Sequence, residues 1–455
     1  YVVNSLDDRA LACRDINEDL VSEPSMIDTG AWAVYLAVFC GLIGIVLTMV
    51  QLPGRIAVFK DDMMSALTNA LAIFNIVQLF ASPIWHRVSE RFGRKPPMVL
   101  ISLNYCVCFV GFALSKGYTG VFVFRGLSGL GAIYGPLGNT IVADLTPLRQ
   151  RGKALAYLNG SALAGCIVGP FLNIALIKLG AEWMTVTLVA AGFSLLSAIV
   201  SFLWLSESAP IRLARDETRN LDLSMGSAPK ESGFKATMGA ISRNKNLMVV
   251  FVGYTVTLGA HCLFKDIAGG IVRTRCNLDN DQKDTLYSYN VLVLTLGGFL
   301  ASLAVGPLAA RIGERGVIYI GQACAAIALT MLVVDSDKYF DYYYYTASSF
   351  INGVSDGLAH PAFLFLCSEW ASPKDRGMML GLFQIGNSLG RSVFSLLQGY
   401  LYEWDLQASF VIAYIWPLIG FLCTFFVTVP VEKHLIEKAI RDKANEQAPV
   451  EAVPV

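Results

Sequence analysis

Charge is what this sequence has least of. Asp, Glu, Lys and Arg make up 15% of its 455 residues, against about a quarter in a soluble chain. Acids and bases balance to a formal net charge of zero, so the electrostatic footprint of a nucleic-acid binder is missing and no nucleic-acid partner is expected. There is no Gly-x-x-x-x-Gly-Lys-(Ser/Thr) loop, no His/Cys group at metal-ligand spacing, and no nucleophile elbow or catalytic triad, which argues against an ATP-driven pump and against an enzyme. No cofactor or metal is expected. The ten cysteines form no disulfide framework; eight of them lie in or beside apolar runs, where a free thiol behaves as a small hydrophobe. Cys262 and Cys276 alone lie close enough to one surface to be weighed as a pair, and they are read as free. No cleavable signal peptide is visible.

What is present is apolar length. Hydrophobic residues make up 55% of the chain, and stretches of about 20 of them, enough to cross a bilayer as helix, recur throughout. We read twelve spans, at 31–53, 62–84, 97–115, 119–144, 152–178, 183–205, 246–269, 285–308, 316–334, 343–368, 377–401 and 407–429. The expected class is an all-α integral membrane protein. Residues 206–245, with Pro210, Gly226, Pro229 and Gly233 as breakers, form a polar linker between two six-span halves; 1–30 and 430–455 are polar ends. Lysine and arginine favour the even-numbered connections by roughly two to one, which puts these and both termini in the cytoplasm. The bilayer is thus one partner, and a monomer is expected.

The densest charge sits between spans two and three, in His86-Arg-Val-Ser-Glu-Arg-Phe-Gly-Arg-Lys95. Between spans eight and nine stands Gly306-Pro-Leu-Ala-Ala-Arg-Ile-Gly-Glu-Arg315, so Arg-x-Gly-x-(Arg/Lys) occurs at 91–95 and again at 311–315. The duplication continues in spans four and ten. Pro136 and Pro361, Asp144 and Glu369, and Arg151 and Arg376 are each 225 residues apart.

The first loop, with Glu90, Arg91, Gly93, Arg94 and Lys95, resembles the cytoplasmic G-x-L-A-D-R-x-G-R-K signature of the major facilitator superfamily. The second, with Gly306, Arg311, Gly313 and Arg315, resembles its repeat. His86 replaces the usual Gly, Glu90 the usual Asp, and Ala310 stands in the acidic place of the second copy. In span four, Arg125 and the run Gly126, Ser128, Gly129 and Gly131 resemble the R-x-x-x-G-x-G motif linked to coupling in proton-driven drug antiporters. In span five, Gly160, Gly165, Gly169 and Pro170 resemble the antiporter motif, with Asn173 and Ile174 in place of its final glycine pair. The resemblance implies twelve helices in two parallel six-helix pseudo-repeats with a cavity between the halves, closest to the drug/proton antiporter, tetracycline-exporter-like branch. It implies a small-molecule substrate moved by alternating access, with a proton gradient as driving force.

Ionisable groups within a span are costly and mark function. Arg125 is read as a coupling residue, or as an arginine snorkelling to the outer interface. Asp356 and His360 share a face of span ten at i, i+4 and form a pair able to take and release a proton, or a satisfied helix–helix contact. Arg391 lies deep in span eleven and needs a cavity or an acid, Asp356 being the nearest by helix order; its fork also suits an anionic substrate group. Lys265 and Asp266 are expected as an interfacial ion pair at the outer end of span seven, and His261 as a buried histidine, with a gate as the alternative. Proton-coupled antiport is the leading expectation. A facilitator or symporter of an organic anion, sugar or metabolite, and a non-transporting receptor on the same fold, are the alternatives.

Overall fold

The computed structural model describes residues 31–207 apart from 147, residues 245–404 apart from 276–277, 337–341 and 371–375, and residue 239 with a few positions between 415 and 425. The polar ends, most of the linker and most of the twelfth span lie outside the described residues.

Every described element is helical, because a backbone in lipid must satisfy its own amides. In order they are α1 (Ala31–Phe59), α2 (Met63–Phe92), α3 (Lys95–Leu114), α4 (Tyr118–Ser128), a 3₁₀ turn (Gly129–Gly131), α5 (Tyr134–Leu145), α6 (Leu148–Lys178), α7 (Trp183–Trp204), α8 (Lys245–Arg275), α9 (Asn280–Ser336), α10 (Tyr342–Trp370) and α11 (Arg376–Trp404). Among the described residues, eight helical stretches are long and apolar enough to cross a membrane; α10 and α11, at 29 residues each, match them in length. Large apolar side chains such as Val107, Phe171, Phe202, Leu303 and Tyr400 are exposed along the outside, the surface that acyl chains solvate.

Span four is a correction to the single helix expected. Gly129 and Gly131 leave room for α2 and α3: a Cβ on Gly129 would meet Val77, and one on Gly131 would meet Tyr105. Pro136 removes the amide that would bond the Ala132 carbonyl. The freed carbonyls find side chains instead. Gln78 donates to Ala132 O (3.2 Å), Trp85 to Leu130 O (2.7 Å) and Asn104 to Leu127 O (3.1 Å).

Spans eight and nine join as one 57-residue element broken at Gly313, whose φ of 76° lies in the glycine region. Gly93 ends α2 with φ 95°. The two motif glycines therefore make the same reversal in both copies, which only a residue without a Cβ makes at low cost.

Buried apolar side chains group within 33–205 in one cluster and within 247–394 in two more. In the first group α1 lies against Gly165 and Gly169, where a Cβ would meet the Phe39 carbonyl and Val46. In the second, Gly297 and Gly298 of α9 face Phe350 and Gly353 of α10, a small-residue contact that the apolar pattern had concealed. Two hydrogen bonds join the two sets of helices at the end away from the motif loops. Asn173, which accepts from Gln51 within the first set (2.8 Å), donates to Ser288 (2.7 Å), and the Ser65 amide donates to Glu403 (3.0 Å).

Candidate functional site

The first motif loop is a cap on helix ends. The Arg94 side chain is buried and pairs with Asp144 at 3.2 Å while donating to Ser89 at 2.5 Å. Glu207 accepts from the Arg94 amide (2.7 Å) and the Lys95 amide (3.1 Å) at the start of α3, where unpaired N–H groups and the helix dipole favour an anion. Glu207, which the sequence places 113 residues from Arg94, thus makes an acid-to-helix-end contact. The Glu90 side chain lies outside the described set. Arg91 is exposed and lies over Phe92. In the second copy Gly306 and Arg311 are exposed and Arg315 is half-buried.

The interior site is built by α4, α8, α10 and α11. Lys265 and Asp356 form an ion pair across α8 and α10, Nζ to Oδ2 3.4 Å, and their side chains keep 38% and 28% of their exposure. An ion pair of this kind, far from the ends of both helices, requires a wet cleft. This corrects two expectations. Lys265 and Asp266 do not pair with one another, and Asp356 takes Lys265 rather than Arg391 as its direct partner. A lysine and an aspartate at adjacent positions point about 100° apart on a helix, so neighbours in sequence face different helices. Asp266 is 6% exposed and accepts from Ser395 of α11 at 2.8 Å.

Arg391 donates from Nε to Cys262 Sγ at 3.0 Å, and lies within Coulombic reach of Asp356 and Asp266. His360 does not bond Asp356; its ring meets the Tyr254 hydroxyl at 3.3 Å. The two side chains of the i, i+4 pair remain close enough to feel one another's charge. His261 is buried, as expected, but well connected: Nδ1 faces Thr257 O and Nε2 faces Ser355 Oγ, each at 2.8 Å.

Arg125 does not snorkel. It is 3% exposed, lies 4.0 Å over the Phe74 ring, and has Met49 Sδ at 2.7 Å from one terminal nitrogen, while its Nε has no partner. It and Arg391 are in electrostatic contact. Two guanidiniums from opposite ends of the sequence therefore share one interior, and neither has a carboxylate within ion-pair distance among the described residues. The reading from sequence named Lys265, Asp266 and His261 but left them out of the interior site. The available signal was their position inside the apolar run 246–269.

A profile of the Major Facilitator Superfamily matches residues 34–264 and 279–452. Multidrug resistance protein 2 of Bacillus subtilis (strain 168) is 24% identical over 400 residues, which cover 84% of this chain and 91% of that protein. Multidrug resistance protein 1 of the same organism is 35% identical over 144 residues, 31% of this chain; the matched stretch spans 36% of that relative's length. Among solved structures, the nucleoside transporter NupG (D323A mutant) superimposes with a TM-score of 0.70 at 12% identity, over 88% of this chain and all of that one. This last likeness is one of fold.

Proposed function

The chain belongs to the major facilitator superfamily, and from that premise we propose that it carries a small organic solute across the bilayer by alternating access, in exchange for protons. The observation that carries this reading is the Lys265–Asp356 pair, which joins α8 to α10 with both side chains partly exposed. A proton taken up beside the pair gives Asp356 a competing cation and frees Lys265 to turn towards solvent or solute. A proton then changes the relative affinity of two arrangements of these helices, which is the only way a ligand can shift such an equilibrium. The multidrug resistance relatives support a small organic solute as the cargo.

We read residues 31–205 and 246–429 as the two rocking halves of a monomer. Residues 206–245 are the linker between them, 1–30 the N-terminal segment and 430–455 the tail, all on the cytoplasmic side with both termini. The separate apolar clusters support two halves, and the lysine and arginine bias supports the orientation. Contacts between the halves at the end opposite the motif loops support a conformation open towards the cytoplasm.

A second reading is proton symport of an organic anion, favoured by Arg125 and Arg391. The interior holds Arg125, Lys265 and Arg391 against Asp266 and Asp356, an excess of cations that suits a carboxylate or phosphate. The test begins with a thermal-shift panel on the purified full chain to find a solute, followed by flux in proteoliposomes with an imposed pH gradient. Antiport predicts solute movement against the proton flow, and symport predicts movement with it. Asp356→Asn is expected to remove the dependence on the gradient; gradient-driven flux in that variant equal to wild type sinks the role of the pair.

A further inference from the structure

We infer that His261 is the residue that binds the coupled proton, as one member of a hydrogen-bonded chain that is a proton short while its ring is neutral. This rests on the proton-coupled reading above and holds for either direction of coupling. The chain runs Thr257 O, His261 Nδ1, His261 Nε2, Ser355 Oγ, Gly321 O, with separations of 2.8, 2.8 and 2.6 Å on either side of the ring and hydroxyl. Both ends are backbone carbonyls, which only accept. Nδ1 must therefore donate to Thr257 O, and the Ser355 hydroxyl must donate to Gly321 O. The middle contact then needs a third proton, which only Nε2 supplies. A neutral imidazole and a hydroxyl carry two protons for three contacts. With one missing, two lone pairs face each other inside a buried network, where an unmade bond is expensive. Protonation of the ring completes the chain.

The surroundings make this proton consequential. Asp356 follows Ser355 in α10, and its charge reaches His261, as does that of Lys265, one turn along α8. His360 is the remaining titratable ring within range. Arg391 of α11 acts on His360 and on Cys262, the neighbour of His261. A proton on His261 thus gives Asp356 a second cation and loosens the claim of Lys265 upon it. Ser355 and Gly321 tie the event to α10 and α9, so one proton addresses three helices.

The chain has four histidines, His86, His261, His360 and His434, so ¹⁵N-histidine labelling of the full protein in phosphatidylcholine vesicles resolves each ring, with His261→Gln assigning the signal. Between pH 9 and pH 5 the His261 ring is expected to pass from one protonated nitrogen to two. Ser355→Ala, which removes the acceptor of the second proton, is expected to weaken proton binding about tenfold, the scale of one hydrogen bond to a charged group. A wild-type ring that stays neutral down to pH 5, or a Ser355→Ala ring that titrates like wild type, overturns the assignment without any reference to transport. In flux assays His261→Gln is expected to flatten the pH profile and reduce gradient-driven movement at least tenfold. If Asp356→Asn removes the gradient dependence while His261→Gln keeps it, this assignment falls alone. If wild-type flux ignores the gradient, the coupled-transport reading falls and takes the assignment with it.

Discussion

Asn173 of α6 donates to Ser288 of α9 across 2.7 Å, and accepts from Gln51 of α1 on its other side. One amide thus stitches three helices together at the end of the bundle remote from Gly93 and Gly313. Asn173→Ala removes both bonds. Only the bond to Ser288 joins the two halves, so at about 0.6 kcal/mol for a side-chain hydrogen bond between membrane helices the balance of states shifts about threefold. Spin labels at Phe92 and Ile312, both exposed beside the motif glycines, are expected to show a larger share of short distances in the variant. An unchanged distance distribution contradicts the latch.

The two motif glycines separate conformation from collision. Both have the positive φ of a glycine-only region, 95° at Gly93 and 76° at Gly313. A Cβ at Gly93 also meets the Glu207 carboxylate, whereas one at Gly313 meets nothing within 4 Å. Gly313→Ala is expected to cost about 1–3 kcal/mol of backbone strain. Gly93→Ala carries the same strain and in addition displaces Glu207 from the start of α3. Thermal unfolding should therefore rank Gly93→Ala well below Gly313→Ala; equal midpoints argue against the Glu207 contact.

Arg94 and Asp144 meet at 3.2 Å with side-chain exposures of 5% and 16%. Asp144→Ala leaves a buried guanidinium without its carboxylate, a change that costs about 3 kcal/mol when the surviving charge stays buried. Replacing both partners, Arg94→Met with Asp144→Leu, is expected to recover most of that loss. A double variant no more stable than Asp144→Ala contradicts the pairing.

Arg125 is held against stability. Its buried guanidinium has an aromatic ring and a thioether for company and an Nε with no partner. A buried charge without a counter-ion is destabilising relative to an apolar side chain of similar length. Arg125→Met is expected to raise the thermal midpoint by the equivalent of about 1 kcal/mol or more while abolishing coupled flux. A fall in stability indicates that Arg125 serves packing and not transport.

The Lys265–Asp356 pair is partly exposed, so its contribution to stability is small, within about 1 kcal/mol. Its effect on transport is expected to be large. The exchange Lys265→Asp with Asp356→Lys restores the pair across α8 and α10 and is expected to recover measurable flux where either single change has none. A swap as inactive as the singles shows that the orientation of the charges, and not their pairing, is required.

The chain's apolar rhythm and its duplicated Arg-x-Gly-x-(Arg/Lys) loops determined a great deal unaided. Helices are dictated by a solvent that bonds no backbone, and Gly93 and Gly313 announce two equivalent reversals because few residues but glycine adopt that backbone. Arg125, Asp356 and Arg391 were legible as interior charges because any ion in an apolar run must be accommodated. The tertiary structure alone decided who accommodates whom. Lys265 faces Asp356 while Asp266 faces Ser395, since rotation about a helix sends adjacent residues to different neighbours. The break in span four depended on Gln78, Trp85 and Asn104 arriving from other helices to take its carbonyls. The proton demand of His261 depends on Ser355 and on a carbonyl at Gly321. Such facts arise from contacts between segments distant in the chain, and periodicity, which records only which face of a helix is apolar, does not encode them.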